Sequence, residues 1–152
     1  MFSKTCEYAI SAALFIAVAS RNGDRLSAEQ VADAVDSPKP FMGKILQQLV
    51  RDKILMSAKG PGGGFFVDFT AKPVSLYAIV KTIDGHEALA TCVLGLPHCS
   101  DKLPCPLHDQ VIGYRDEVLV AIKKLTLPDL AINEIAVKEF LKALRIRKKR
   151  TK

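Results

Sequence analysis

The chain contains no Cys-x-x-Cys pair, no long hydrophobic run and no nucleophile motif, and each absence removes a class of function. Without a paired Cys-x-x-Cys, a thioredoxin-like thiol oxidoreductase is disfavoured. The most continuous apolar stretch, Ala12 to Ala19, falls well short of the roughly 20 residues that cross a bilayer. No charged n-region with a cleavage site opens the chain, so the expected location is the cytoplasm, with no membrane partner. The glycine-rich stretch from Gly60 to Gly64 lacks the Gly-Lys-Ser/Thr ending of a phosphate-cradling loop and does not lead into a helix. No segment carries a hydrolytic nucleophile signature, so the chain does not read as an enzyme.

Tryptophan is also absent, and there is no long biased tract; apolar residues make up 49% and charged residues 25% of 152 positions. That balance argues against wholesale disorder. The length suits one DNA-binding domain plus a dimerisation element. The net charge of +6 is unevenly placed, because residues 138–152 carry eight Lys and Arg against the single acid Glu139. The remainder is nearly neutral, so the charge by itself argues only for a solvated basic tail at 138–152.

Hydrophobic spacing organises the rest. Residues 3–20 read as a buried helix that Asn22-Gly23 stops. Ser27 and Gln30 form a capping-box signature for a short second helix that ends near Asp36. Ser37 is expected to cap a third helix, with Pro38 and Pro40 in the first turn, where missing backbone donors cost little. In that helix Phe41, Ile45 and Leu49 form a buried stripe, while Lys44, Gln47, Gln48 and Arg51 share another face.

Two strand-like runs, Leu55 to Lys59 and Phe65 to Phe69, flank the turn formers Gly60-Pro61-Gly62-Gly63-Gly64 and predict a hairpin. Two short helices and a hairpin in this order make a winged helix-turn-helix, whose second short helix enters the major groove. A further helix is expected from Ser75 to Ile83, a loop from Thr91 to Pro106, and a long helix from Leu107 to Leu125. Along the long helix Val111, Tyr114, Val118, Ala121 and Leu125 repeat as 3-4-3-4. Such a seam suits a homodimer or, in the alternative, the chain's own first helix.

The residue chemistry fits this layout. Lys39, Lys44, Gln47, Gln48 and Arg51 supply the amides and cations that base edges and phosphates require. Ser37, Pro40 and Phe41 sit at the entry to the same helix, and Lys59, Gly60, Pro61, Gly62 and Gly63 form a wing tip slim enough to approach a groove. The second constellation is Cys92, six residues, Cys99, five residues, Cys105, two residues, His108. Thiolates with an imidazole bind an iron-sulfur cluster, and the same donors make a closed zinc site. The wide spacing suits a cluster better than a zinc ribbon, with zinc and unliganded thiols as alternatives. His86 and His98 read as surface groups, and Cys6 as core packing.

The chain resembles the IscR/NsrR-type (Rrf family) winged-helix iron-sulfur regulators over roughly residues 1–135. The resemblance is carried by Cys6-Glu7-Tyr8-Ala9-Ile10, by Lys59-Gly60-Pro61-Gly62-Gly63-Gly64-Phe65, and by Cys92…Cys99…Cys105-Pro106-Leu107-His108. It implies a dimeric repressor or activator that responds to redox state, nitric oxide or iron supply. It also implies cluster ligation by Cys92, Cys99 and Cys105, with two candidates for the fourth ligand. IscR-like members use a histidine three positions after the last cysteine, matched by His108, and hold a two-iron cluster. NsrR-like members use an acidic residue before the first-helix tyrosine of the other subunit, matched by Glu7, and hold a four-iron cluster.

The expected architecture is therefore α+β and mostly helical. A winged helix-turn-helix occupies residues 1–84 with its wing at 55–69, and a cluster-binding loop follows at 85–106. The dimerisation helix and a following helix fill 107–137, ahead of the basic tail. The expected partners are a second copy of the chain and a palindromic double-stranded operator. The rival function is a zinc-stabilised or metal-free winged-helix module acting through protein partners or thiol redox.

Overall fold

A computed structural model describes residues 2–86, 88 and 91–149, with the backbone alone for residues 144–149. Among the described residues, seven helices and one hairpin follow in the order α1 (Lys4–Arg21), α2 (Ala28–Val35), α3 (Lys39–Arg51), β1 (Met56–Ala58), β2 (Gly64–Phe66), α4 (Leu76–Asp84), α5 (His108–Lys124), α6 (Leu127–Ala131) and α7 (Glu134–Lys149). The class is the expected one: mostly helical, with a two-stranded antiparallel wing after two short helices.

The first helix lies at the centre because it is apolar all round. Ala9, Ala12, Ala13, Ile16 and Ala17 are fully buried, and the small alanine side chains let α2, α3, α4, α6 and α7 pack closely on it. Ser3 starts it by accepting from the Cys6 N–H at 3.1 Å. The capping box on α2 forms as the sequence predicts: the Gln30 N–H donates to Ser27 Oγ at 3.2 Å and the Ser27 N–H to Gln30 Oε1 at 2.8 Å.

Three local expectations change. Ser37 does not cap α3; Pro38 occupies that position with no side-chain cap, while the Ser37 hydroxyl donates to the Pro38 carbonyl at 3.4 Å. Proline already fixes the φ that the first turn needs, so the helix starts without a cap. The buried face of α3 is wider than the four-residue stripe, because Met42 and Leu46 join Ile45 and Leu49 inside and Phe41 is only half-buried. The basic tail is not a separate tail through Lys149, because Val137 and Leu141, one turn apart, are buried and anchor α7 to the core. Residues 150–152 lie outside the described residues.

The hairpin is extended at one point. Leu26, between α1 and α2, bridges Phe65 through N–H···O bonds of 3.1 and 2.8 Å. Gly64 precedes that bridge with φ +140°, and a Cβ there would lie 2.7 Å from the Leu26 carbonyl oxygen. Only glycine lets the wing close onto this strand edge.

Leu46 on α3 is fully buried in the main core cluster. Leu46→Ala is expected to lower unfolding free energy by about 2–5 kcal/mol, as large-to-small changes in a filled core do. Urea denaturation followed by circular dichroism measures it; a loss below about 1 kcal/mol contradicts this packing role.

Candidate metal centre and nucleic-acid interface

The cysteines of the loop after α4 converge where α5 begins. Their three Sγ atoms all lie within 4.8 Å of one another, and Cys92 and Cys105 are separated by 3.6 Å. The Cys105 N–H donates to Cys99 Sγ at 3.4 Å, and the His108 N–H donates to the Cys105 carbonyl at 3.0 Å. These bonds bring Cys105 back to Cys99 and set His108 one turn beyond it. His108 Nδ1 lies 3.3 Å from Cys99 Sγ, and its side chain is only 8% exposed. Val93, Leu107, Val111 and Arg115 complete the lining of this cleft.

Donor chemistry and placement fit a thiolate-ligated metal or cluster: three soft sulfur donors converge within 4.8 Å, and one imidazole nitrogen lies beside the Cys99 sulfur. Glu7 does not line this cleft within the chain; it is exposed on the first turn of α1 and paired with Lys4. His98 is exposed, and the exposed His86 contacts the Tyr77 hydroxyl at 3.3 Å.

The thiols differ in ionisation. Cys92 is drawn down to about 7, first by the Leu96 backbone N–H and then, against partial desolvation, by the Leu94 N–H and the neighbouring thiols. For Cys99 the Cys105 N–H is the largest influence and favours the thiolate, yet desolvation and the adjacent thiols outweigh it and push the group up. Cys6 belongs to another environment, buried with Val80 and Ile122, where burial first and Asp84 second push its thiol up to about 12. Because 12 exceeds the ordinary 9.0, the unfolded chain loses that proton first. The stabilisation is intact below about pH 9 and is lost as pH rises towards 12.

Reactivity follows from the same contrast, since the thiolate is the nucleophile. Iodoacetamide at pH 7 is expected to alkylate Cys92 of the metal-free protein well before Cys6, as peptide mass spectrometry would register. Equal rates at the two positions contradict the assignment.

The residues expected to meet DNA divide into two groups. Lys44, Gln47 and Arg51 are exposed on α3, and Lys59, Gly60, Pro61 and Gly62 are exposed at the wing tip, with Gly63 half-buried. The Gly63 N–H closes the turn onto the Gly60 carbonyl at 2.9 Å. The others are engaged elsewhere or set back. Lys39 pairs with Glu29, and Phe41 lies edge-on to Tyr8 with ring centroids 5.9 Å apart. Pro40 is exposed beside them and Ser37 is half-buried. Gln48 is exposed, but its amide donates to the Thr82 carbonyl of α4 at 2.7 Å.

Sequence reasoning missed three contacts here. Thr82 Oγ1 donates to Asp52 Oδ2 at 2.7 Å, Arg25 stacks over the Phe66 ring at 4.8 Å, and His108 Nε2 meets Asp101 Oδ1 at 3.0 Å. Each joins residues distant in sequence or in an aperiodic turn, where spacing carries no signal.

On α5, Tyr114 is 70% exposed, Ala121 and Leu125 are exposed, and Val111 and Val118 are half-buried. Ile122, outside that seam, is buried with Cys6 and Val80, and the seam residue Val118 and its neighbour Leu119 pack against the same cluster.

Helices α2 and α3 followed by the β1–β2 wing define the class as a winged helix-turn-helix protein. The chain belongs to the Rrf2 family, described as iron-dependent transcriptional regulators, whose profile matches residues 2–133. It is 29% identical over 134 residues to a protein of Aquifex aeolicus assigned to the HTH-type transcriptional regulators, covering 86% of this chain and 90% of that one. It is 22% identical over 127 residues to the HTH-type transcriptional regulator IscR of Yersinia pseudotuberculosis, covering 84% and 76%. In fold it is similar to CymR, the global cysteine regulator of B. subtilis, at TM-score 0.66 and 17% identity over 86% of this chain and 95% of that one. These relatives are transcriptional regulators, not enzymes.

Proposed function

We propose that this Rrf2-family regulator binds a palindromic operator as a homodimer and that its affinity is set by an iron-sulfur cluster on Cys92, Cys99 and Cys105. The convergence of the three Sγ atoms within 4.8 Å, on a loop between α4 and α5, carries the reading. The fourth ligand comes from His108 at the start of α5 or from Glu7 of the second subunit. Bound there, a cluster supplies a group whose integrity and charge respond to oxidants, nitric oxide and iron supply.

The chain's own contacts provide a route from this loop to DNA. The loop begins at the end of α4, and the last turn of α4 is held on both sides. Thr82 is bonded to Gln48 and Asp52 at the end of α3, while Asp84 accepts from the backbone and hydroxyl of Ser3 at the start of α1. A shift of α4 therefore reaches the recognition helix directly. The α5 seam of Val111, Tyr114, Val118, Ala121 and Leu125, exposed at Tyr114, Ala121 and Leu125, would pair two chains, setting the spacing of two α3 helices on a symmetric site. Lys44, Gln47, Arg51 and the tip from Lys59 to Gly63 would meet the DNA. In this scheme residues 1–84 bind DNA, 85–106 hold the cluster and the helices beyond assemble the dimer.

The rival metal is zinc, which the Cys99 and His108 donor pair also suits. Anaerobic assembly with iron and sulfide, followed by metal and sulfide analysis and operator binding, separates the readings. The proposal expects a coloured protein with both elements bound and an operator affinity that changes on cluster removal. A colourless protein holding zinc or nothing, whose operator binding ignores Cys92→Ala, overturns it.

A further inference from the structure

We propose that Asp101 is the positioning residue that fixes the tautomer of His108, holding the proton on Nε2 and turning the Nδ1 lone pair towards the cysteines. The inference rests on the metal-binding reading above and identifies a carboxylate outside the ligand set as part of the site. Both ring nitrogens are engaged: Nε2 lies 3.0 Å from Asp101 Oδ1, and Nδ1 lies 3.3 Å from Cys99 Sγ. A neutral imidazole has one donor and one acceptor nitrogen, and an ionised carboxylate only accepts. The nitrogen facing Asp101 must then donate, leaving Nδ1 as the electron-pair donor facing the thiols.

The turn that carries Asp101 presents it firmly. Ser100 and Leu103 exchange backbone bonds of 3.2 and 3.0 Å, and the Leu103 N–H also lies 3.3 Å from Ser100 Oγ. Asp101 stands on this closed turn two residues after Cys99, while His108 stands on the first turn of α5, so their contact ties the loop to the helix. The carboxylate is 87% exposed and the imidazole 8%. Asp101 thus meets solvent on one side and orients a covered ring on the other. Carboxylates bonded to the free nitrogen of a ligating histidine hold its orientation and raise its donor strength.

Two measurements test this. Long-range 15N–1H correlation spectra of the metal-free protein report the His108 tautomer directly. Titration with cobalt(II) alone, followed by its absorption bands, reports affinity without requiring cluster assembly. Wild type should show the Nε2–H tautomer, and Asp101→Ala should show a tautomer mixture with cobalt bound about 10–100-fold more weakly. Asp101→Asn, whose amide oxygen still accepts, should restore both. His108→Ala should match or exceed the affinity loss of Asp101→Ala. Unchanged tautomer and affinity in Asp101→Ala overturn the proposal, as does unchanged affinity in His108→Ala. If wild type takes up no iron and sulfide yet shows the cobalt and tautomer effects, the sensor reading fails and the role of Asp101 stands. Far-UV circular dichroism of each variant guards against loss of fold, which an exposed turn substitution should not cause.

Discussion

Cys99→Ala protein, assembled anaerobically with iron and sulfide, is expected to lose cluster incorporation and to bind operator with the affinity of the metal-free wild type. Cys99 sits at the middle of the site: its sulfur accepts the Cys105 N–H, contacts His108 Nδ1 and lies within 4.8 Å of both other thiols. Removing it takes away a direct ligand and a hydrogen-bond acceptor that shapes the loop. The loss in iron affinity should exceed the roughly 10–100-fold that removal of an outer-shell partner causes. Stability should change little, because Cys99 is half-buried in the loop and contributes nothing to the core around α1. Iron and sulfide analysis, thermal melts and operator titrations together test this. Wild-type iron content in the variant defeats the assignment of Cys99 as a ligand.

The legible parts of the molecule are those with a period or a cap. The helices around Ala12 and Leu49 repeat apolar residues at helical spacing, and Ser27 with Gln30 announces a helix start that forms as read. The hairpin was legible because five turn-forming residues separate two apolar runs. The Leu26 bridge was not, since it rests on two hydrogen bonds at one residue and leaves no pattern. The C-terminal region misleads for a different reason. Its many cations suggest a solvated tail, whereas Val137 and Leu141 suffice to lay one helical face on the core.

At the site, the three cysteines and His108 were visible by residue type, while Asp101 was hidden among ordinary turn residues. Gln48 shows the converse. Its residue type suits an adenine edge, and its place on α3 suits the exposed face, but its amide is committed to the Thr82 carbonyl. Composition identifies what a side chain is able to bond, and tertiary packing decides which partner receives it.

That commitment of Gln48 separates two effects on DNA binding. Lys44, Arg51 and Lys59 are exposed cations on α3 and the wing, so a dimer in which each reaches a phosphate neutralises about six phosphates. Affinity for an operator duplex should then fall about 10³-fold between 50 and 200 mM salt, and each phosphate left without its cation should reduce the logarithmic slope by about 0.9. Arg51→Ala should weaken binding to all sequences and flatten this slope, as removal of a phosphate cation does. Gln48→Ala should leave the slope unchanged, since it removes no charge, and should shrink the affinity difference between cluster-loaded and cluster-free protein by loosening α4 from α3. Fluorescence anisotropy across a salt series, on both forms of both variants, distinguishes the two roles. If Gln48→Ala instead relaxes preference at one base pair with the cluster response intact, the amide leaves Thr82 on binding and reads DNA directly.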